Sequence, residues 1–347
     1  MVERKKVTIK DVAKASGLAL STVSNALSGK NYVKEETRKL VDETARKLGY
    51  RASAVARALR MQRSFTIGVL IADVANPSSA DFVRGVEDVA IREKCTMLLC
   101  NTDEDEERQI LQMQTLYDRQ VDGMVLISQH CESPRIRALL DGGTPYVLVQ
   151  RRSSKWKDDY VGSDNQEGLA EAIRHAHALG HRRVGFVTGP LESSSARERL
   201  ETFKQESARL KLSQSKSMIF EGRYTFDSGL AAGKYFTGMK NRPTCVLASS
   251  DMNALGFMQV ALEEGLRIPQ DVSVIGLDDI SLAGLKSINL TTIQLQKRDM
   301  GAAAAELLMK RIRKPAKVGK PIILPTRLII RGTTASPVAG GGKPDGN

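Results

Sequence analysis

The first fifty residues carry a pattern of short helices joined by a tight turn, which constrains the fold more than any other feature. Thr8 is predicted to begin a helix, because Asp11 follows three residues later as in a capping box. Gly17 is predicted to end that helix, since glycine accepts the positive φ found beyond a helix C-terminus. A second predicted helix covers about residues 20–27, and a third follows at about residues 35–48. This order is typical of a helix-turn-helix, whose second helix places its N-terminal side chains against base edges in the major groove.

The basic charge of the chain is concentrated in the same segment. Residues 1–63 hold fifteen Lys and Arg against six Asp and Glu, a net charge of +9 out of +12 for the whole chain. A plain helical hairpin with a solvated charged face would not need this asymmetry. The uneven charge instead predicts an electrostatic footprint for phosphates, and therefore double-stranded DNA as a partner.

After about Arg63 the pattern changes to apolar runs that alternate with amphipathic helices, the rhythm of a parallel sheet. Buried strands are predicted at FTIGVLIA, CTMLLC, DGMVLIS and YVLVQ, and again at RVGFVTG, MIFEG, CVLAS and VSVIGLD. Helices are predicted at about residues 79–93, 106–119, 133–140, 166–179, 196–210, 226–236, 253–264 and 297–313. The predicted fold class is α/β: an all-α helix-turn-helix head and two doubly wound lobes that resemble a periplasmic-binding-protein fold.

Several other function classes find no support in the sequence. No apolar h-region follows the N-terminal charges and no run is long enough for a membrane helix, so we expect a cytoplasmic protein without membrane contact. The four cysteines show no metal-ligand spacing, and Gly180 separates His177 from His181, so no metal is expected. No Walker loop, GxGxxG or GxSxG motif is present. We therefore predict no enzyme and no cofactor.

Several motifs, in a fixed order along nearly the whole chain, suggest a family. VTIKDVAKASGLALSTVSNALSG, VKEETRKLVDETARKLGY and SAVARALR come first, and VGSDNQEG, LGHRRVGFVTGP, SSDMNALG and RIPQDVSVIGLDD follow. Together they resemble the lactose-repressor (LacI/GalR-type) family of bacterial transcription regulators. The resemblance implies a ligand-responsive repressor that binds a palindromic operator as a homodimer, with its effector between the two lobes.

The resemblance also implies a domain plan. It divides the chain into a helix-turn-helix domain (1–52), a hinge helix and linker (53–63), a two-lobed domain (64–335) and a disordered tail (336–347). The chain would cross between the lobes near Val161, Leu290 and Pro321. The first lobe would then comprise residues 64–161 and 291–321, and the second 162–290 and 322–335.

The predicted DNA-binding residues lie in the head and the hinge. Residues 53–60 have only about two helical turns and read alone as a linker, but the resemblance implies a hinge helix that orders on the operator. Paired Leu59 side chains would then wedge into the minor groove, with basic neighbours beside them. The full predicted set is Thr8, Leu20, Ser21, Thr22, Asn25, Tyr50, Arg57, Leu59 and Arg60.

The resemblance carries over an effector pocket suited to a small hydroxylated ligand, since carboxylates accept from hydroxyls and an arginine donates a fork of hydrogen bonds. Asp164 and Asp251 read equally as helix caps, and the serines at 193–195 as helix-start residues. The predicted pocket residues are Asn76, Ser78, Ser79, Asp81, Asp164, Ser193, Ser195, Arg199, Tyr224, Ser250, Asp251 and Asp278.

Ser78 and Ser79 depart from the family pattern, which often has two aromatic residues there. We therefore expect a ligand that is bulkier or more polar at that end, or one held by other residues. We also consider two alternative functions from other classes, a transport-type binding protein and an enzyme. The first lacks its signal peptide and has a basic head it does not need, and the second lacks a nucleophile with its base.

Overall fold

The computed structural model describes residues 7–27, 33–50, 61, 63–316 and 318–338. The chain forms two compact units that divide after Phe65. The predicted hinge helix, with Arg57, Leu59 and Arg60, lies outside the described residues, as do residues 339–347 of the predicted tail. Those predictions remain untested. Within the described ranges, no helix is both long and apolar enough to cross a membrane.

The first unit contains three helices, α1 (Ile9–Ser16), α2 (Leu20–Leu27) and α3 (Glu35–Leu48). The carboxylate of Asp11 accepts hydrogen bonds from the backbone N–H of Thr8 at 2.8 Å and from its hydroxyl at 2.7 Å, which fixes the start of α1. Gly17 follows α1 with φ of 67°, the left-handed conformation that glycine adopts without strain. One apolar core joins the three helices, formed by Val12, Ala13, Val23, Ala26, Val41 and Ala45.

The second unit has two lobes, each built on a six-stranded sheet. The strands of the first sheet are β1 (Thr66–Ile71), β2 (Thr96–Asn101), β3 (Gly123–Ile127), β4 (Tyr146–Val149), β5 (Tyr160–Ser163) and β11 (Ile322–Leu324). Their order in the sheet is β11-β5-β4-β3-β1-β2, and all the paired strands run parallel. Its helices are α4 (Pro77–Arg92), α5 (Glu106–Asp118), α6 (Pro134–Leu140) and α11 (Lys297–Arg313).

The strands of the second sheet are β6 (Val184–Val187), β7 (Ile219–Phe220), β8 (Cys245–Ala248), β9 (Ser273–Asp278), β10 (Thr291–Leu295) and β12 (Thr326–Ile329). Their order in the sheet is β12-β10-β9-β8-β6-β7. The pair of β10 and β12 is antiparallel, and the other described pairs are parallel. Its helices are α7 (Asn165–Ala178), α8 (Ser194–Arg209), α9 (Phe226–Thr237) and α10 (Asp251–Glu263). The predicted architecture, a helical head and two doubly wound lobes, is confirmed.

The chain crosses between the lobes later than the sequence predicts at all three points, and at the first of them residues 162–163 still belong to β5 of the first sheet. Residues 291–295 were expected in the first lobe, but they pair as β10 with β9 and so belong to the second. Residues 322–324 were expected in the second lobe, but they pair as β11 with β5 in the first. Backbone pairing determines both positions, because each run continues as strand for as long as a neighbouring strand offers hydrogen bonds. The crossings therefore follow Ser163, Leu295 and Leu324.

Candidate ligand cleft and DNA-contacting helix

A cleft of about 340 Å³ lies between the two lobes, where the carboxyl ends of strands from both sheets meet. Loops after β1, β2, β3 and β4 form one wall, and loops after β7 and β8 with the ends of β9 and β10 form the other. Ligands of open α/β sheets bind at this edge, because the loops there are free to carry polar side chains. Seven of the predicted pocket residues line the cleft: Asn76, Ser78, Ser79, Ser195, Arg199, Tyr224 and Asp278.

Arg199 enters the cleft from the second turn of α8 and is only 4% exposed. Its Nε donates to Asn165 Oδ1 at 3.0 Å, and its Nη1 donates to the backbone oxygen of Ser249 at 3.1 Å. The guanidinium carbon lies 5.8 Å from the centroid of the Tyr224 ring. These contacts hold the donor fork in one orientation before any ligand arrives, which lowers the entropic cost of binding.

Three buried polar atoms of the cleft have no hydrogen-bond partner among the residues that the structure describes. They are Arg151 Nε, Tyr224 Oη and Ser249 Oγ. A buried polar group left unpaired costs about 1–3 kcal/mol, so each atom is stabilised when a ligand supplies its partner. The Tyr224 ring also depends on Gly189, because a Cβ there would lie 2.1 Å from the ring carbon Cζ.

Two buried carboxyl groups lie on the second-lobe side. Burial raises the pKa of Asp278 to about 7, and the charge of Asp251 adds to this effect while Lys297 and Arg199 oppose it. Burial also raises the pKa of Asp251 to about 6. Gly276 leaves space for Asp251, since a Cβ at that position would lie 2.2 Å from its Oδ1. Near neutral pH, Asp278 can therefore either donate a proton to a ligand oxygen or accept from a hydroxyl.

Two polar contacts close the mouth of the cleft between the lobes. Asn76 Nδ2 donates to the backbone oxygen of Tyr224 at 3.5 Å. Arg223 of the second lobe pairs with Glu104 of the first at 3.4 Å, and Glu104 also pairs with the buried Arg151. A ligand that contacts these residues would affect how the two lobes meet.

The structure places the other five predicted pocket residues outside the cleft lining. Asp164 accepts the N–H of Glu167 and caps α7, the alternative that the sequence had left open for it. Asp251 opens α10 but turns inward, where it accepts the N–H of Ile280 and the hydroxyl of Thr292.

The remaining three also have structural partners. Ser250 caps α10, Ser193 shares a hydrogen bond of 2.9 Å with Ser195, and Asp81 pairs with Lys297 at 3.3 Å. Each of these residues therefore has a partner within the protein, and its predicted contact with the ligand stays a prediction.

Several cleft residues escaped the sequence analysis. Each follows a strand directly or within a few residues, so the rule that sites lie at the carboxyl ends of parallel strands would have found them. The missed polar residues are Asp73, Asp103, Glu104, Ser128, Gln150, Arg151, Arg223, Thr225 and Ser249.

In the first unit, the predicted base-reading residues lie along α2. Leu20 is 44% exposed, unusual for a leucine, and Ser21 is exposed beside it. Thr22 and Asn25 are half-buried, and Tyr50 packs against the three-helix core. The exposed start of α2 is thus accessible to a DNA groove. A substitution at Tyr50 would instead affect the stability of the three-helix unit.

The histidines of the second lobe have partners in the C-terminal segment. His175 Nε2 lies 3.2 Å from Thr334 Oγ1, and His181 Nε2 lies 3.0 Å from the backbone oxygen of Ala335. Within the described ranges, no group of three or more His, Cys, Asp or Glu side chains could hold a metal ion. These two histidines fasten residues 334 and 335 to the lobe.

Comparisons with known proteins agree on one family. The model for bacterial regulatory proteins of the lacI family matches residues 8–53, and the model for a periplasmic binding protein-like domain matches residues 173–334. Catabolite control protein A of Priestia megaterium is 32% identical, over 94% of this chain and 99% of that protein. The ribose operon repressor of Haemophilus influenzae is also 32% identical, over 93% and 97%. A crystal structure of the lac repressor dimer bound to operator is 26% identical, with a TM-score of 0.86 over 95% of this chain and all of that one.

Proposed function

The chain belongs to the lacI family of bacterial regulatory proteins, and from that premise we propose how it acts. It is a cytoplasmic repressor that binds operator DNA as a homodimer, and α2 reads the bases. The two-lobed unit serves as a receptor without a catalytic step. Its ligand is a small, hydroxyl-rich polar metabolite of the sugar or sugar-acid class, held by Arg199 and Asp278.

The observation that carries this proposal is the set of unsatisfied polar atoms in the cleft. Arg151 Nε, Tyr224 Oη and Ser249 Oγ surround a space that already holds the fixed guanidinium of Arg199. A cleft of about 340 Å³ that offers both hydrogen-bond donors and hydrogen-bond acceptors suits a compact molecule with many hydroxyl groups. The two relatives above are equally identical in sequence to this chain, so overall sequence identity does not indicate which ligand it binds. The ligand class is therefore inferred from the residues of the cleft.

A thermal-shift screen of the full chain tests the ligand class. Sugars, sugar acids, nucleobases and aromatic acids are added singly, because a ligand that binds only the folded state raises the melting temperature by mass action. We expect a sugar or sugar acid to raise it, and the rise to disappear in Arg199→Ala. A ligand that stabilises both proteins equally binds elsewhere, and a response confined to nucleobases or aromatic acids would reject the proposed class.

Selection from random-sequence duplexes tests DNA recognition. We expect one palindromic sequence to be enriched, and its affinity to fall steeply as salt concentration rises, because bound cations are released from the phosphates. Failure to enrich any duplex, or binding that ignores salt, would contradict a repressor and favour a receptor without a DNA target.

A further inference from the structure

The two-lobed unit has a second cavity, of about 940 Å³, which shares no lining residue with the ligand cleft. The loop 152–158 after β4 forms one wall and the first turn of α8 forms another. Residues 318–321, just before β11, close the third side. We name this cavity, bounded by these three segments and Tyr160, the hinge pocket.

Both lobes contribute to the hinge pocket. The backbone N–H of Arg152 in the first lobe donates to Ser194 Oγ of the second at 3.0 Å. The Arg152 guanidinium pairs with Glu198 on α8 at 2.6 Å. The same turns of α8 carry Ser195 and Arg199 into the ligand cleft. A molecule in the hinge pocket would therefore touch both lobes and the helix that positions the cleft arginine.

The lining of the hinge pocket includes aromatic and apolar side chains among its polar ones. Trp156 is half-buried in the loop, with the guanidinium carbon of Arg137 5.3 Å from its ring centroid. Tyr160 also lines the pocket, with the guanidinium carbon of Arg152 5.5 Å from its ring centroid. Val318, another lining residue, leaves 46% of its surface exposed, although it is apolar. These surfaces offer a flat ring system contacts that water does not provide.

The charge of the hinge pocket favours an anion. Its two acidic lining residues already have cationic partners, since Asp158 pairs with Arg137 at 2.7 Å and Glu198 with Arg152. The exposed Lys157 and Lys320 lie in the lining and take part in no ion pair among the residues that the structure describes. Two cations thus remain beside apolar walls.

We propose that the hinge pocket is a second ligand site, which takes small anions with a planar aromatic body and is separate from the effector cleft. The aromatic walls contact the ring system, and Lys157 and Lys320 contact the anionic group. Because both lobes line the pocket, its occupant favours the lobe arrangement seen here and, by linkage, changes effector affinity. The existence of the site does not depend on which effector the cleft binds.

Trp156 is the one tryptophan of the chain, so its emission reports on this pocket directly. The full-length protein is titrated with 8-anilinonaphthalene-1-sulfonate, an anion with a flat naphthalene body that absorbs where tryptophan emits. We expect saturable quenching of Trp156 with a matching rise in probe emission. The affinity should fall about tenfold or more in the double variant Lys157→Glu/Lys320→Glu, because two attractive charges become repulsive.

A matched variant makes the result specific. Lys204→Glu/Lys211→Glu changes the net charge equally at exposed positions on the second lobe, and it should bind the probe as the unmodified protein does. Equal binding by the hinge-pocket double variant, or absence of quenching in the unmodified protein, would overturn the proposal.

Discussion

Lys297 Nζ donates a hydrogen bond of 2.6 Å to the backbone oxygen of Asp278, and this bond connects the first turn of α11 to the end of β9 across the lobes. The same ammonium lies 3.3 Å from the backbone oxygen of Asp279 and 3.3 Å from Asp81 Oδ2. Asp278 has φ of 129°, a conformation that side-chain-bearing residues rarely adopt. The lysine, only 3% exposed, therefore holds the cleft carboxylate in an unusual backbone geometry at a crossing between the lobes.

Lys297→Met replaces the lysine with an uncharged side chain of similar length. It should lower the free energy of unfolding by about 1–3 kcal/mol, because the buried backbone oxygen of Asp278 and the partly buried one of Asp279 lose their donor. Lys310→Met lies on the exposed face of the same helix and should change it little. Urea denaturation measures both. Equal stability in the two variants would show that the buried ammonium contributes nothing to the crossing.

The pKa of Asp278, raised to about 7 by burial, predicts a stability that depends on pH. Between about pH 5 and pH 7, Asp278 holds its proton in the folded protein but has lost it in the unfolded chain, where an aspartate has a pKa of about 4. The contribution of Asp278 to the free energy of unfolding should therefore fall as pH rises through this window. Asp278→Asn stays neutral and lacks this contribution, so it should shift the slope of the free energy of unfolding against pH in the positive direction.

Asp271→Asn provides the matched control for that measurement. Arg267 lowers the pKa of Asp271 to about 2, so this carboxyl is charged throughout the window and its loss should leave the slope unchanged. If Asp278→Asn retains the slope of the unmodified protein in urea denaturation, the proton does not reside on Asp278.

Tyr224→Phe should leave the stability of the ligand-free protein unchanged or slightly higher, because the hydroxyl it removes has no hydrogen-bond partner among the described residues. Tyr160→Phe is the matched control. It removes a hydroxyl that donates to the backbone oxygen of Gln150 at 3.2 Å, and it should cost about 1 kcal/mol. Effector affinity, measured by calorimetry, should fall only in Tyr224→Phe. A stability loss there equal to that of Tyr160→Phe would mean that the hydroxyl already has a partner.

Elements with a local cause could be predicted from the sequence. The apolar period and the glycine that follows each helix place α1 and α3 where the structure has them, because both signals act within a few residues. The crossing after β10 could not be placed in this way. Its run, LTTIQL, carries no local signal for either lobe, and its pairing with β9 and β12 assigns it to the second lobe.

The sequence likewise predicted some of the residues that line the cleft and not the direction of every side chain. Asn76 and Arg199 were expected in the pocket from the family resemblance, and both line the cavity. Asp251 was expected there too, but the space at Gly276 lets it turn towards Thr292 instead. The direction of a side chain depends on neighbours distant in sequence, which a motif does not contain. Arg151 and Ser249 follow strands β4 and β8 and line the cleft, but neither was predicted as a pocket residue.

Asn25→Ala should weaken binding to the selected operator by about 1–3 kcal/mol, because an asparagine amide can pair with adenine N6 and N7. Binding to a random duplex should change little, since phosphate contacts supply it. Fluorescence anisotropy with both duplexes measures the difference. Equal losses on the two duplexes would mean that Asn25 acts through the phosphates or through the stability of α2.

Operator affinity with and without saturating effector, compared between the unmodified protein and Arg199→Ala, tests the central claim most directly. The ligand from the thermal-shift screen and the selected duplex are the reagents. We expect the ligand to change operator affinity at least about fivefold in the unmodified protein, as coupling between two sites does. Arg199→Ala should bind the ligand-free operator normally and show no change, because a ligand shifts an equilibrium only through its differential affinity for the two states. A full response in Arg199→Ala, in a variant shown by its melting temperature to be folded, would contradict control of DNA binding from this cleft.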